Sequence, residues 1–283
     1  MEIKNLPEHQ KGLAAVFVAA LIWSTGGMFI KLVPLEAIQI CFFRSALAAL
    51  VFMVLFKKAA FNFDKFVLIN AICYAGLLIT FVIATKLTTA ANAIFLQYTA
   101  PIYVFFLEPL LFKTKFEKIN IVTVVLCFTG MLLFFVGELS PGHMLGNAIA
   151  LLGGVFLAAM TLGMKKNKPE NQYASVFYGN IIICIVALPF MFSIGTLTAP
   201  TALRLAYLGI IQIGIAYALF SYGIKRTLAI EASLIAMVEP VFNPIWVLIG
   251  YGEKPSFFSI VGGCIILFGV ITRTVWSNRI KAA

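Results

Sequence analysis

Residues 84–101, ATKLTTAANAIFLQYTAP, and residues 223–240, GIKRTLAIEASLIAMVEP, are two versions of one pattern set 139 positions apart. Lys86 falls on Lys225, Thr88 on Thr227, Ala90 on Ala229, Ala93 on Ala232 and Pro101 on Pro240. The same offset lays Gly130 on Gly269, and an offset of 134 lays Gly12 on Gly146 and Lys31 on Lys165. Single identities among apolar residues arise easily by chance. Shared order, spacing and prolines do not, so the chain reads as two related halves.

The repeat lies in an unusually apolar chain. Of 283 residues, 62% are hydrophobic and 11% charged, with a mean hydropathy of +1.02. A soluble domain carries roughly 25% charged and 45–50% apolar residues. So few charges cannot cover a water-facing surface, and the missing polar surface implies lipid. A membrane span needs about 20 apolar residues. Apolar segments fall at 12–32, 36–56, 66–85, 89–112, 119–137, 145–164, 173–194, 201–222, 228–250 and 256–276. Turn or charge signals separate them, among them Val33-Pro34, Lys57-Lys58, Ser140-Pro141-Gly142 and Lys225-Arg226. The expected fold is an all-α integral membrane protein of ten transmembrane helices, arranged as two inverted five-helix repeats over 12–138 and 145–277. Residues 1–11 carry mixed charges and the following apolar run is longer than a secretory signal core, so the first helix is read as retained.

Cations alternate from side to side. Sixteen of the 21 Lys and Arg residues lie on one side: Lys4, Lys11, Lys57, Lys58, Lys65, Lys113, Lys115, Lys118, Lys165, Lys166, Lys168, Lys225, Arg226, Arg273, Arg279 and Lys281. Four lie on the other (Lys31, Lys86, Arg204, Lys254), and Arg44 lies inside a span. This bias puts both termini in the cytoplasm and the chain in the cell (inner) membrane. Five spans per half is an odd number, so the second half must enter from the opposite side. Inverted halves suit alternating access, because they can exchange roles around a shared central site.

The +10 net charge is therefore a topology signal. The cations are scattered, with no basic face to follow phosphates, and nucleic acid is excluded as a partner. Cys41, Cys73, Cys127, Cys184 and Cys264 stand alone without metal-ligand spacing and read as small buried hydrophobes. No cofactor or metal is expected. The partners expected are the lipid bilayer and a small-molecule substrate, with a proton or solute gradient as an open source of drive and a monomer or weak dimer as the assembly.

The run AIEASLIAMVEPVFNPIWVLIGYGEKPSFFSIVGGCIILFGVI (229–271) resembles the second EamA domain of the drug/metabolite transporter superfamily. The features that carry the resemblance are Ala229/Ala232, Glu239-Pro240, Gly252-Glu253 and Gly262/Gly269. Trp23, FFRSALAAL (42–50) and LQYTAPIYVFF (96–106) match the first domain more loosely. Thr114 stands where the family often has Glu, and Glu108-Pro109 lies inside the fourth span, where the second half has Val247. The resemblance implies a ten-helix transporter of small organic solutes and leaves the solute unnamed.

Ionisable groups at membrane depth are costly and mark functional candidates. Glu239, with Asn243 at i+4 and Trp246 at i+7, shares a face with the carbonyl that Pro240 frees, which suits a cavity wall or a structural break. Gln97, Pro101 and Glu108 line the repeat-related face of the fourth span, with Tyr98 adjacent. Glu108 lies near the cytoplasmic end, where it could pair with Lys113 or Lys115. Arg44 reads as an ion pair or carbonyl clamp, with Glu239 or Glu36 as its carboxylate, or else as an anion-binding group. The substrate-binding candidates are Trp23, Gln97, Tyr98, Gln212, Tyr217, Glu239, Asn243 and Trp246. Arg44, Pro101, Glu108 and Pro240 are the structural or gating candidates. Tyr74, Asn92, Tyr178 and Asn180 read as helix–helix hydrogen bonds, and Glu231 as a partner of Lys225 or Arg226.

A secondary transporter exporting amino acids or amines fits an aromatic cavity with one central carboxylate. A sugar-phosphate or nucleotide-sugar antiporter needs more cations than Arg44 alone supplies. A channel is disfavoured by the paired proline-broken spans. A membrane-embedded enzyme is disfavoured because no span carries a nucleophile or metal motif.

Overall fold

In a computed structural model of the chain, residues 7–113, 118–138, 144–193, 197–251 and 257–280 are described. Among them the secondary structure is helical throughout, with no strand. The helices are α1 (Glu8–Leu32), α2 (Ala37–Phe61), α3 (Lys65–Leu87), α4 (Ala90–Gln97 with Ala100–Phe112), α5 (Lys118–Glu138), α6 (Met144–Lys166), α7 (Gln172–Phe192), α8 (Ala199–Ile224), α9 (Ala229–Ala236 with Val238–Tyr251) and α10 (Phe257–Ile280). All of these except α5 and α10, eight helices in total, are long and apolar enough to cross a membrane. The apolar parts of α5 and α10 are shorter, Lys118–Leu133 and Ile260–Arg273. The turn at Ser140-Pro141-Gly142, the Gly252-Glu253 pair, Lys4, Thr114, Lys115, Lys254 and Lys281 lie outside the described residues.

The outer surface confirms that lipid is the solvent. Phe192 is 92% exposed, Leu203 73%, Phe268 64% and Val54 62%, and a water-soluble chain would not leave so many large apolar side chains uncovered. Cys264 also lies on this exposed surface, against the expectation that every cysteine is buried. Its position on the outer side of α10 gives it lipid, rather than protein, as its apolar surroundings.

Local chemistry sets where the helices begin and break. Asp64 Oδ1 accepts from Val67 N–H at 2.8 Å and starts α3, while Thr89 Oγ1 accepts from Asn92 N–H at 3.0 Å and starts α4. α4 divides into Ala90–Gln97 and Ala100–Phe112, and α9 into Ala229–Ala236 and Val238–Tyr251. The first piece of each ends four residues before a proline, Pro101 or Pro240. A proline has no N–H to return to the carbonyl of residue i−4, so the ladder lapses there. α1 is also broken, at Thr25, between Glu8–Ser24 and Gly26–Leu32. Within α8, Tyr207–Ile215 is wound as π-helix.

α5 packs along α10, α3 along α6 and α7, α2 along α7 and α8, and α1 along α8 and α9. Polar contacts identify two ends of the bundle. At one end Glu8 accepts from Arg226 at 2.7 Å, Asn171 donates to Asp64 at 2.6 Å, and Lys225 sits 4.0 Å over the Tyr173 ring. At the other, Lys86 donates to Val33 O at 2.9 Å, Arg204 to Leu32 O at 2.8 Å and Thr88 to Asn147 at 3.0 Å. The start of α1 and the end of α6 share the first end, and the end of α1 and the start of α6 share the second. α1 and α6 therefore run antiparallel.

Two glycines repeat this geometry. A Cβ on Gly12 would stand 2.7 Å from Arg226 Cβ and 3.1 Å from Thr227 Cγ2. A Cβ on Gly146 would stand 3.0 Å from Leu87 C and from Thr88 Cβ. The start of each helix thus lies against the turn that closes the helix pair of the other half, and only hydrogen fits in the gap.

Candidate functional site

The four helix irregularities converge on one cavity. Trp23 precedes the break in α1, Gln97 and Tyr98 flank the break in α4, Gln212 lies in the π-helical stretch of α8, and Glu239 follows the break in α9. Arg44 from α2 and Tyr217 from α8 complete the polar and aromatic wall, and Leu77, Leu78, Phe81, Leu157 and Ile213 fill the rest. The volume is about 30 Å³, room for roughly one water molecule. Any organic solute therefore requires the helices to part.

The polar wall is organised around the carbonyls that the breaks expose. In lipid, a freed backbone carbonyl must find a donor inside the protein. Gln212 Nε2 donates to Trp23 O at 3.4 Å, and Asn243 Nδ2 donates to Ser24 O at 2.8 Å. Trp246 Nε1 donates to Ser24 Oγ at 2.8 Å, and Thr25 Oγ1 meets Tyr207 OH at 2.9 Å. Glu239 Oε2 accepts a 2.6 Å bond from Tyr98 OH, which joins the broken α4 to the broken α9. Trp23 packs on Tyr217, ring centres 4.6 Å apart, and on Phe220 at 5.2 Å, while Tyr74 meets Tyr217 edge-on at 4.7 Å.

Of the residues singled out from sequence, Trp23, Arg44, Gln97, Tyr98, Gln212, Tyr217 and Glu239 come together here. Asn243 and Trp246 do not line this cavity. They hold the α1 break through Ser24, because the Glu239 face continues from the cavity onto α1. Pro101 and Pro240 open the second pieces of α4 and α9. Arg44 makes no ion pair with Glu239 or Glu36; its Nη2 donates to Gln212 Oε1 at 3.3 Å.

Two carboxylates differ from expectation. Glu108 neither reaches water nor pairs with Lys113. It is 3% exposed and caps the start of α9, accepting from Ala229 N–H at 2.7 Å and Ile230 N–H at 2.8 Å. Glu231 pairs with Arg273 at 2.9 Å and His9 at 2.8 Å, not with Lys225 or Arg226, whose side chains turn to Tyr173 and to Glu8. Nearby, Lys165 donates to the carbonyls of Ile224 and Thr227. Asn180 donates to Tyr74 OH at 3.0 Å across α7 and α3, Asn92 to the neighbouring Thr88, and Tyr178 to Phe61 O. Ser24 and the apolar wall of Leu77, Phe81 and Leu157 were missed, since nothing in the sequence separates them from ordinary span residues.

Larger hollows lie outside the bundle centre. One of about 630 Å³, lined by Leu13, Phe17, Ile235 and Phe242, is apolar, and one of about 760 Å³ lies at the Lys86 end between Glu36 and Phe190. Neither gathers buried charges from both halves. The central cavity is therefore the candidate site.

The profile of the EamA-like transporter family matches residues 10–136 and 144–274. The chain belongs to the EamA-like transporter family. It is 24% identical over 262 residues to an uncharacterized transporter of Archaeoglobus fulgidus, covering 92% of this chain and 95% of that one. It is 23% identical over 273 residues to the pseudopaline exporter CntI of Pseudomonas aeruginosa, covering 93% and 95%. A solved crystal structure superposes with a TM-score of 0.79 at 15% identity over 94% of this chain and 98% of its own, a likeness of fold. As an EamA-like transporter the chain is a multi-pass membrane protein, and the two matched stretches meet at the α5–α6 connection.

Proposed function

We propose that this EamA-like protein is a secondary active exporter of small organic metabolites such as amino acids or amines. Ten spans form two inverted five-helix halves, and the central cavity is reached alternately from each face. The observation that carries the reading is the composition of that cavity. Trp23, Arg44, Gln97 and Tyr98 come from the first half and Gln212, Tyr217 and Glu239 from the second, so a movement between halves reshapes the site. The antiparallel α1 and α6, the matching packing of α3 on α6 and α8 on α1, and the paired proline breaks support the inverted repeat. α5 and α10 complete the count as shorter spans. An exporter among the relatives supports outward movement of a small organic solute. The cation bias supports cytoplasmic termini in the cell membrane, with the His9–Glu231–Arg273 end facing the cytoplasm.

Glu239 is the cation-facing group of the site. In proteoliposomes, Glu239→Gln is expected to lower flux of amino acids and amines about tenfold or more, the scale of losing a buried charge-assisted bond. The variant should retain wild-type size-exclusion behaviour. Flux equal to wild type at every external pH would overturn the role.

A further inference from the structure

Two arginines are equally buried in this protein and are held in opposite ways. Arg273, 1% exposed, pairs with Glu231 at 2.9 Å and donates to Asn120 Oδ1 at 3.0 Å. Arg44, also 1% exposed, has the 3.3 Å bond from Nη2 to Gln212, and its Nε and Nη1 have no partner among the described residues. A guanidinium carries five donors and cannot shed its proton to escape burial. Leaving those donors unpaired in a membrane protein's interior is expensive, and a clamp whose purpose was structural would be paired with a carboxylate, as Arg273 is.

Arg44 instead forms part of the cavity wall. Glu239 lies on that same wall, tied to Tyr98 and out of ion-pair contact with Arg44. The cavity thus presents separate positive and negative groups beside the Trp23–Tyr217 aromatic wall. We infer that Arg44 binds the carboxylate of a zwitterionic solute whose ammonium faces Glu239, with the apolar part of the solute against the rings. This rests on the transporter reading above and narrows it: amines without a carboxylate become poor substrates. A planar guanidinium suits a carboxylate in two-point contact, which a lysine ammonium does not reproduce.

The test compares two labelled pools in proteoliposomes, the standard L-amino acids and the amines formed by their decarboxylation. Wild type is expected to favour the amino acids. Arg44→Gln should lower the ratio of amino-acid to amine uptake about tenfold or more, and Arg44→Lys should recover only part of it. Should Arg44→Gln fail to fold, Gln212→Glu provides an independent route. It tethers a carboxylate where Arg44 Nη2 already donates, and should lower the same ratio in protein that keeps wild-type size-exclusion behaviour. A purely structural arginine predicts an unchanged ratio in every variant that folds, and that result overturns the inference. Wild type that carries amines alone also overturns it while leaving the transporter reading standing. Wild type that carries neither pool removes both.

Discussion

Glu231 and Arg273 illustrate how residues behave where water is absent. Each is about as deeply buried as a core leucine, and their 2.9 Å contact is joined by His9 and Asn120. Removing one member strands the other, at a typical cost of about 3–5 kcal/mol. Glu231→Gln should accordingly lower the unfolding temperature in detergent markedly, and adding Arg273→Met should restore part of the loss, as a thermal scan of both would register. Glu108→Gln should cost less, about 1–2 kcal/mol, because the backbone N–H groups of Ala229 and Ile230 keep one amide oxygen as acceptor. Sequence marks Glu108 as a carboxylate out of place in a span, and Glu231 only as a partner for nearby cations. Glu231 reads as a partner of its chain neighbours Lys225 and Arg226, whereas its cation comes from 42 positions away. Which helix ends converge depends on packing between halves, and no local spacing encodes that.

At the scale of elements, hydropathy placed the helix boundaries within a few residues, since apolar runs closed by charge or turn signals leave little freedom. Prolines exposed the breaks in α4 and α9. The break at Thr25 and the π-helical Tyr207–Ile215 carry no proline, and they depend on partners from other helices, Tyr207 for Thr25 and Trp23 O for Gln212. These tertiary bonds lie beyond what a one-dimensional pattern records. The glycine pair makes the element-level prediction. Gly12→Val and Gly146→Val each force a side chain into a helix-to-turn contact that already lacks room for Cβ. If the halves are structurally equivalent, both variants should lower the unfolding temperature, by comparable amounts. A large loss from one and none from the other would show that the contacts are not equivalent.

For the whole molecule, the repeat, the proposed five spans per half and the cation bias all point to one geometry. The candidate cavity draws its polar lining from both matched stretches, and most of those residues stand out in the sequence because charged and amide groups are rare inside spans. It could not announce that Arg44 and Glu239 share a cavity without touching. The central claim is that the two halves are inverted copies, and the direct measurement uses the residues that opened the comparison. In a chain with its five native cysteines replaced by alanine, Lys86→Cys and Lys225→Cys are each reacted with a membrane-impermeant maleimide in sealed vesicles of known orientation. Lys86→Cys should label from the outer face and Lys225→Cys from the cytoplasmic face, and labelling of both from one face would contradict the account.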